Sequence, residues 1–227
     1  MPIEMYQFVG NLNDQRPGYR VAKELAKQTA AQFGAVRGVK IGISLASCCA
    51  AVAIKEKLIY KANELNGYID PPVVQNPQNA GRFQIATFGA PLNYGIVFGN
   101  SRIAAGGMDR GDLAGHAERC ALTAANGKEL FDFDENGKKR KRSQNAILFV
   151  ELHPCGDDEN SGCQGWLNGI IGSGISNPYN GIINGDGNTT LHVWWRWTYP
   201  EGDGFAQMVD FHRQNLQIQL AQINNNW

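Results

Sequence analysis

The chain has 227 residues, 43% of them hydrophobic and 10% aromatic, enough to bury a sizeable core as one large domain or two small ones. Its 21 Lys and Arg balance its 21 Asp and Glu, which excludes recruitment of nucleic acid by overall charge and leaves that task to a local patch. Five cysteines in a chain this long are too few for a disulfide scaffold and turn attention to metal ligation or free thiols.

In chain order, the opening MPIEMYQFVG shows no basic leader followed by an apolar run. The expected location is therefore cytoplasmic by default, or that of an effector delivered by a route the chain does not encode. Val21, Leu25, Ala26, Ala30 and Phe33 recur near helical spacing and predict a helix from Tyr19 to Phe33. A second helix is expected from Ile43 to Leu65, with Gly67 beyond its end. Its apolar run, Ile41 to Ile54, is shorter than the roughly 18 to 20 residues that span a bilayer, so it reads as buried core and no membrane partner is expected. Cys48 and Cys49 belong to that core. The stretch DPPVVQNPQNAGR, Asp70 to Arg82, has no periodicity and marks a loop or boundary. It divides a helical extension, residues 1–80, packed on the core, from the domain that carries the chemistry, residues 81–227.

Past the boundary, short apolar runs broken by Gly, Pro and Asn from Arg82 to Gly107 predict two or three strands. LAGHAERCALTAA, Leu113 to Ala125, predicts a helix that stops at Asn126-Gly127. The basic run KKRKR, Lys138 to Arg142, is a solvated connection or a phosphate-tracking patch. NAILFVEL, Asn145 to Leu152, suits a strand buried on both faces. Gly165 to Thr190 reads as a long irregular insertion. LHVWWRWTY, Leu191 to Tyr199, has strand character, with Trp195, Trp197 and Tyr199 on one face and Trp194 with Arg196 on the other. Phe205, Met208, Val209, Leu216, Leu220 and Ile223 suggest a closing helix.

Two fragments carry metal-ligand chemistry: His116-Ala117-Glu118 at a helix start, and Pro154-Cys155 with Cys163 after the buried strand. A catalytic zinc needs three protein ligands and one open position for water, and one imidazole with two thiolates meets that need. His116, Cys155 and Cys163 are the expected ligands. Glu118, two residues past the histidine, can share its pocket only in the first turn of a helix. There a carboxylate that is not a ligand can take a proton from water and pass it to departing ammonia. Cys155, at the opening of its own helix, is expected to gain thiolate character from the helix dipole.

In this order the fragments resemble the cytidine deaminase superfamily, whose signature is H-x-E with P-C-x-x-C. The resemblance covers about Arg82 to Tyr199 by element order: a strand pair, the HAE helix, a strand, the PC helix and a further strand. It implies an α/β class, three-layer α/β/α fold with a mixed central sheet, zinc held between two helix N-termini, His116 and Cys155 as ligands, and Glu118 as proton shuttle. The departure is spacing. GDDENSG places seven residues between Cys155 and Cys163 where the pattern has two, so Gly156 to Gly162 must loop out before Cys163 opens the helix. Cys120, four residues past His116, is the rival third ligand.

For substrate, Trp195 and Trp197 are candidates to stack bases, set against their packing in the core. Asn93 or Asn100 is a candidate to contact a sugar hydroxyl or phosphate, as an asparagine does in related sites. The length and divergent cysteine spacing are similar to those of bacterial toxin-type and polynucleotide deaminases. The expected reaction is conversion of cytosine to uracil in single-stranded DNA or RNA, DNA favoured. A free nucleoside or base deaminase and a non-catalytic zinc module are the alternatives.

Overall fold

A computed structural model of the chain describes residues 3–8, 14–34, 48–54, 59–61, 94–101, 116–125, 144–156, 162–172, 189–198 and 214. The described elements run β1 (Ile3–Gln7), α1 (Tyr19–Gly34), β2 (Cys49–Ile54), β3 (Ile59–Lys61), β4 (Gly95–Asn100), α2 (Ala117–Ala124), β5 (Gln144–Leu152), α3 (Gly162–Gly172) and β6 (Thr189–Trp197). The strands form one six-stranded sheet in the order β1-β6-β5-β2-β4-β3. Strand β2 runs antiparallel to both of its neighbours, β5 and β4, while β5–β6, β6–β1 and β3–β4 are parallel. The sheet is mixed and the chain belongs to the α/β class.

Alternation along the strands divides the apolar side chains between two faces. On one face Cys49, Ala51 and Ala53 of β2, Ile96 and Phe98 of β4, Ile147 and Phe149 of β5, and Trp194 pack with Tyr19, Ala22, Leu25 and Ala26 of α1. On the other, Ala50, Val52, Val97, Leu148, Val150 and Val193 pack with Ala117, Ala121 and Leu122 of α2 and Leu167 of α3. Helices therefore cover both faces, and the side chains between them are almost all withdrawn from water. Helix α2 lies so close to β4 that a Cβ on Gly99 would stand 2.3 Å from the backbone nitrogen of Ala121. Among the described residues, no helix is long and apolar enough to cross a membrane.

The helix expected over Ile43–Leu65 is corrected: Cys49–Ile54 and Ile59–Lys61 are strands. All six residues of β2 are buried, because the strand is central and covered on both faces, so its sequence shows neither the period of a strand nor that of a helix. Its alanines favour a helix in isolation, but pairing on both edges overrides that preference. The stretch read as a helical extension thus supplies three of the six strands as well as α1.

The expected helices at Tyr19 and Leu113 and the strands at Asn145 and Leu191 form near their predicted bounds. The insertion expected from Gly165 is corrected at its start, since α3 continues through Gly172; its glycines ride on a helix anchored by Leu167 in the core. Of Arg82–Gly107, residues 94–101 are described and hold β4, which pairs with β2 from the other side of residue 80. The loop at Asp70–Arg82, the basic run Lys138–Arg142, Tyr199 and, apart from residue 214, the closing helix lie outside the described residues.

Where β6 meets edge strand β1, His192 is buried with its Nδ1 3.2 Å from Glu4 Oε2, and its ring lies parallel to Tyr6 at 5.9 Å between centroids. Tyr6 in turn donates a hydrogen bond to Glu4. Burial holds the His192 imidazole below its ordinary value of 6.5, with the Glu4 carboxylate pulling partly the other way. A base whose folded value is depressed takes up its proton more readily when unfolded. The stability that depends on neutral His192 is complete above about pH 6.5 and is lost as pH falls from there through the folded value. Urea unfolding between pH 7.5 and 5 should show that loss, and His192→Gln should flatten it; an unchanged slope in the variant would refute the assignment.

Candidate metal centre

Parallel strand β5 ends at Leu152, and the chain turns over its carboxyl edge through His153, Pro154 and Cys155. The carboxyl ends of strands in open α/β sheets are where ligand crevices form. Antiparallel pairing brings the start of β2 and the end of β4 to the same edge. Helix α2 begins there with His116 as the residue before its first turn, whose carbonyl accepts the Cys120 N–H at 2.9 Å.

The other helix starts in an unusual way. A helix N-terminus leaves its first N–H groups unpartnered, and a side chain usually supplies the acceptor. Here the carbonyl of Cys155 accepts from the N–H of Cys163 at 2.8 Å and of Gln164 at 3.2 Å. One residue thus carries a thiol and caps the helix that carries the next. Gly162, at φ +55°, makes the contact possible: a Cβ there would lie 2.4 Å from the Cys155 carbonyl oxygen. Cys155 itself precedes the loop, so the expectation that it opens a helix is corrected; Cys163, the second residue of α3, holds that place. The expected looping out between the thiols matches this closure.

The result is a trio. His116 Nδ1 is 3.4 Å from Cys155 Sγ and 3.3 Å from Cys163 Sγ, and the three ligand atoms lie within 4.8 Å of one another. A tetrahedral ion with metal–nitrogen and metal–sulfur bonds of about 2.0 and 2.3 Å sets such atoms about 3.6 Å apart, so the trio could hold a metal ion. Cys120 packs into the core with Cys48, Ala121 and Leu122, and Cys163 joins the trio instead. The helix second turn points Cys120 at the sheet.

The electrostatics match a donor set gathered at one point. The hydrogen bond from Cys163 brings the Cys155 thiol down to about 4 against the opposing effect of burial, with His116 adding to the drop. Cys163 moves the other way, raised by its bond to Cys155, by burial and by the Glu118 carboxylate. Burial lowers His116, but its bond to Cys155 and the charges of Glu118 and Cys155 raise it overall. Glu118, 4% exposed in the first turn of α2, is raised by burial, while His116 and a hydrogen bond from Cys163 hold it back. Its carboxyl group therefore touches the trio and stands out of water.

Of the other expected site residues, Trp195 and Trp197 are half-buried on the face that carries α2 and α3. The His153 ring meets Trp195 edge-on at 4.8 Å, and the His153 N–H donates to the Trp197 carbonyl at 2.8 Å. Trp194 is fully buried on the opposite face, where Arg196 donates to the Phe8 carbonyl at 3.0 Å, as the alternation predicts. Asn100 ends β4 in step with Ile96 and Phe98, on the α1 face, and its Nδ2 donates to the Ser101 carbonyl at 3.4 Å. Asn93 lies outside the described residues.

Two residues that no sequence pattern marks join the site. Arg119 donates to the Gly162 carbonyl at 3.0 Å and stacks over Trp166 at 4.9 Å, tying α2 to the start of α3. Gln164 donates to the carbonyls of Pro154 and Gly156 at 3.3 and 2.7 Å. These three bonds bridge segments whose separation in sequence carries no periodic signal.

Gly162→Ala should disrupt this closure, because a left-handed alanine costs about 1–2 kcal/mol and its methyl group meets the capping carbonyl. The expected outcome is a lower melting temperature together with weaker metal uptake in a chelator competition; full uptake would show that the cap is dispensable. No family model, no curated protein and no solved structure matches this chain, so the geometry of the trio and its carboxylate carries the functional reading.

Proposed function

We propose that the chain is a zinc-dependent hydrolytic deaminase that converts cytosine to uracil in single-stranded nucleic acid, DNA favoured, with a cytidine deaminase-like fold. The observation that carries the reading is Glu118: a buried carboxyl group beside a His/Cys/Cys trio, on the first turn of the helix that His116 begins. A structural zinc site closes all four positions with protein ligands, whereas the three donors found among the described residues, with an adjacent acid, suit a site that keeps one position for chemistry. The element order from Gly95 on supports the same reading: strand β4, the HAE helix α2, strand β5, the PC turn with α3, and strand β6, while the antiparallel partner of β4 is β2, which lies before Arg82.

Zinc bound by His116, Cys155 and Cys163 would supply Lewis acidity that makes water a nucleophile near neutral pH. The chain's own contribution is proton transfer. Burial raises the affinity of Glu118 for a proton, so it accepts one from the attacking water as the oxygen bonds to C4 of the base. Glu118 passes that proton to ring N3, then takes the remaining proton from the C4 hydroxyl group and delivers it to the exocyclic nitrogen. The C4–N bond breaks, ammonia leaves and the ring keeps the oxygen, so cytosine and water become uracil and ammonia. Half-buried Trp195 and Trp197 lie on the same face as the trio and offer stacking surface to an unpaired base, which favours a polymer substrate.

Glu118→Gln removes the proton acceptor and keeps the shape. Turnover should fall by about 10²- to 10⁴-fold with zinc content unchanged. Persistent turnover would refute the mechanism. For the substrate, the zinc-loaded chain is incubated with a mixed-sequence single-stranded DNA oligonucleotide and, in parallel, with free cytidine, and uracil or uridine is scored. Conversion of the oligonucleotide is the expected result. Conversion of cytidine alone would assign a nucleoside deaminase, and conversion of neither would favour a non-catalytic module.

A further inference from the structure

The seven residues between Cys155 and Cys163 create a mechanical problem that a short spacing avoids. With two residues between them, both thiols sit on one helical turn and the helix itself sets their separation. Here Cys155 stands outside α3, on a turn that backbone geometry alone does not fix relative to Cys163.

We propose that Gln164 is the positioning residue that replaces that missing turn and holds the Cys155 sulfur in place for the metal, an inference that rests on the metal reading above. Its side-chain amide donates to the carbonyl before Cys155, that of Pro154, at 3.3 Å and to the carbonyl after it, that of Gly156, at 2.7 Å. Its backbone N–H and that of Cys163 take the carbonyl of Cys155 itself, at 3.2 and 2.8 Å. Three successive carbonyls on the Cys155 arm are thus gripped by two adjacent residues of α3, one of which carries the other thiol. The peptide planes on both sides of the Cys155 Cα are oriented, and with them the direction of its Cβ–Sγ bond. The bidentate grip needs a group with two donors at this reach, which an amide offers and a carboxylate does not.

Gln164 touches no ligand atom in its own right, so its effect is read at the metal. Partners behind metal ligands are commonly worth about 10- to 100-fold in affinity. The full chain is loaded with Co(II), and the thiolate-to-cobalt charge-transfer absorption is recorded for the native protein, Gln164→Leu and Gln164→Glu, alongside thermal melts. The native protein should show the intensity of two thiolates. In Gln164→Leu the absorption should fall towards that of one thiolate, with affinity lowered 10- to 100-fold and melting little changed, because Gln164 is only half-buried. Gln164→Glu should do the same, since its carboxylate faces two carbonyl oxygens.

A third arm deletes residues 157–161. Gly156 and Gly162 already lie side by side, with the Gly156 nitrogen 3.0 Å from the Cβ position of Gly162, so the deletion leaves a two-residue spacing. In that background Gln164→Leu should cost nothing. Two-thiolate absorption and native affinity in both Gln164 variants of the full chain would overturn the positioning role and leave the metal reading standing. Absence of thiolate absorption in the native protein would overturn the metal reading and this inference with it.

Discussion

The hydrogen bonds from the Cys163 and Gln164 N–H groups to the Cys155 carbonyl are the contact on which the candidate site depends. A strand that ends at a sheet edge and a helix that begins after a loop each leave backbone groups in need of partners. Joining the two satisfies both at once, and it brings two thiols from either end of a seven-residue loop to one point. The closure is possible because Gly162 has no Cβ to fill the space the carbonyl occupies.

The third donor arrives from a different element, and the sheet sets its position. Helix α2 rests on β4 at Gly99 with backbone-to-backbone closeness, which fixes the height of its first turn above the edge where β5 ends. His116 stands just before that turn and Glu118 within it, so one helix start presents an imidazole and a carboxyl group together. Arg119 extends the other way, to the Gly162 carbonyl, and locks the two helix starts to each other. Burial at this seam raises the proton affinity of Glu118, while the hydrogen bond from Cys163 and the neighbouring His116 bring the Cys155 thiol down against the effect of its own burial. The same packing that stabilises the fold therefore gathers three groups that could hold a metal ion around a buried carboxyl group.

Strand β6 divides its aromatic residues between structure and surface. Trp194 fills the core against Phe8 and Tyr19 on the α1 side, while Trp195 and Trp197 are half-buried on the side of the trio. With as many acidic as basic residues in the chain, attraction of a charged polymer has to be local. Trp195 and Trp197 are the aromatic side chains of β6 that keep part of their surface open on the face of the candidate site.

The residue types of the candidate metal centre were legible in the sequence: one histidine, one glutamate two places on, and two cysteines with seven residues between them. The element types were legible where one face meets water, as in α1, or where an apolar run is bounded by turns, as in β5 and β6. Strand β2 was not, because a central strand of small apolar residues has no solvent side to imprint a period. Local pattern favoured Cys163 over Cys120 as the partner of His116, as the trio shows, but it did not reveal that Gln164 and Arg119 reach across to the cysteine arm. Those outcomes depend on which backbone groups meet across the sheet edge. Sequence by itself determined which side chains have the chemistry, and tertiary structure decided which of them share a point in space, because hydrogen bonds between distant segments leave no periodic trace along the chain.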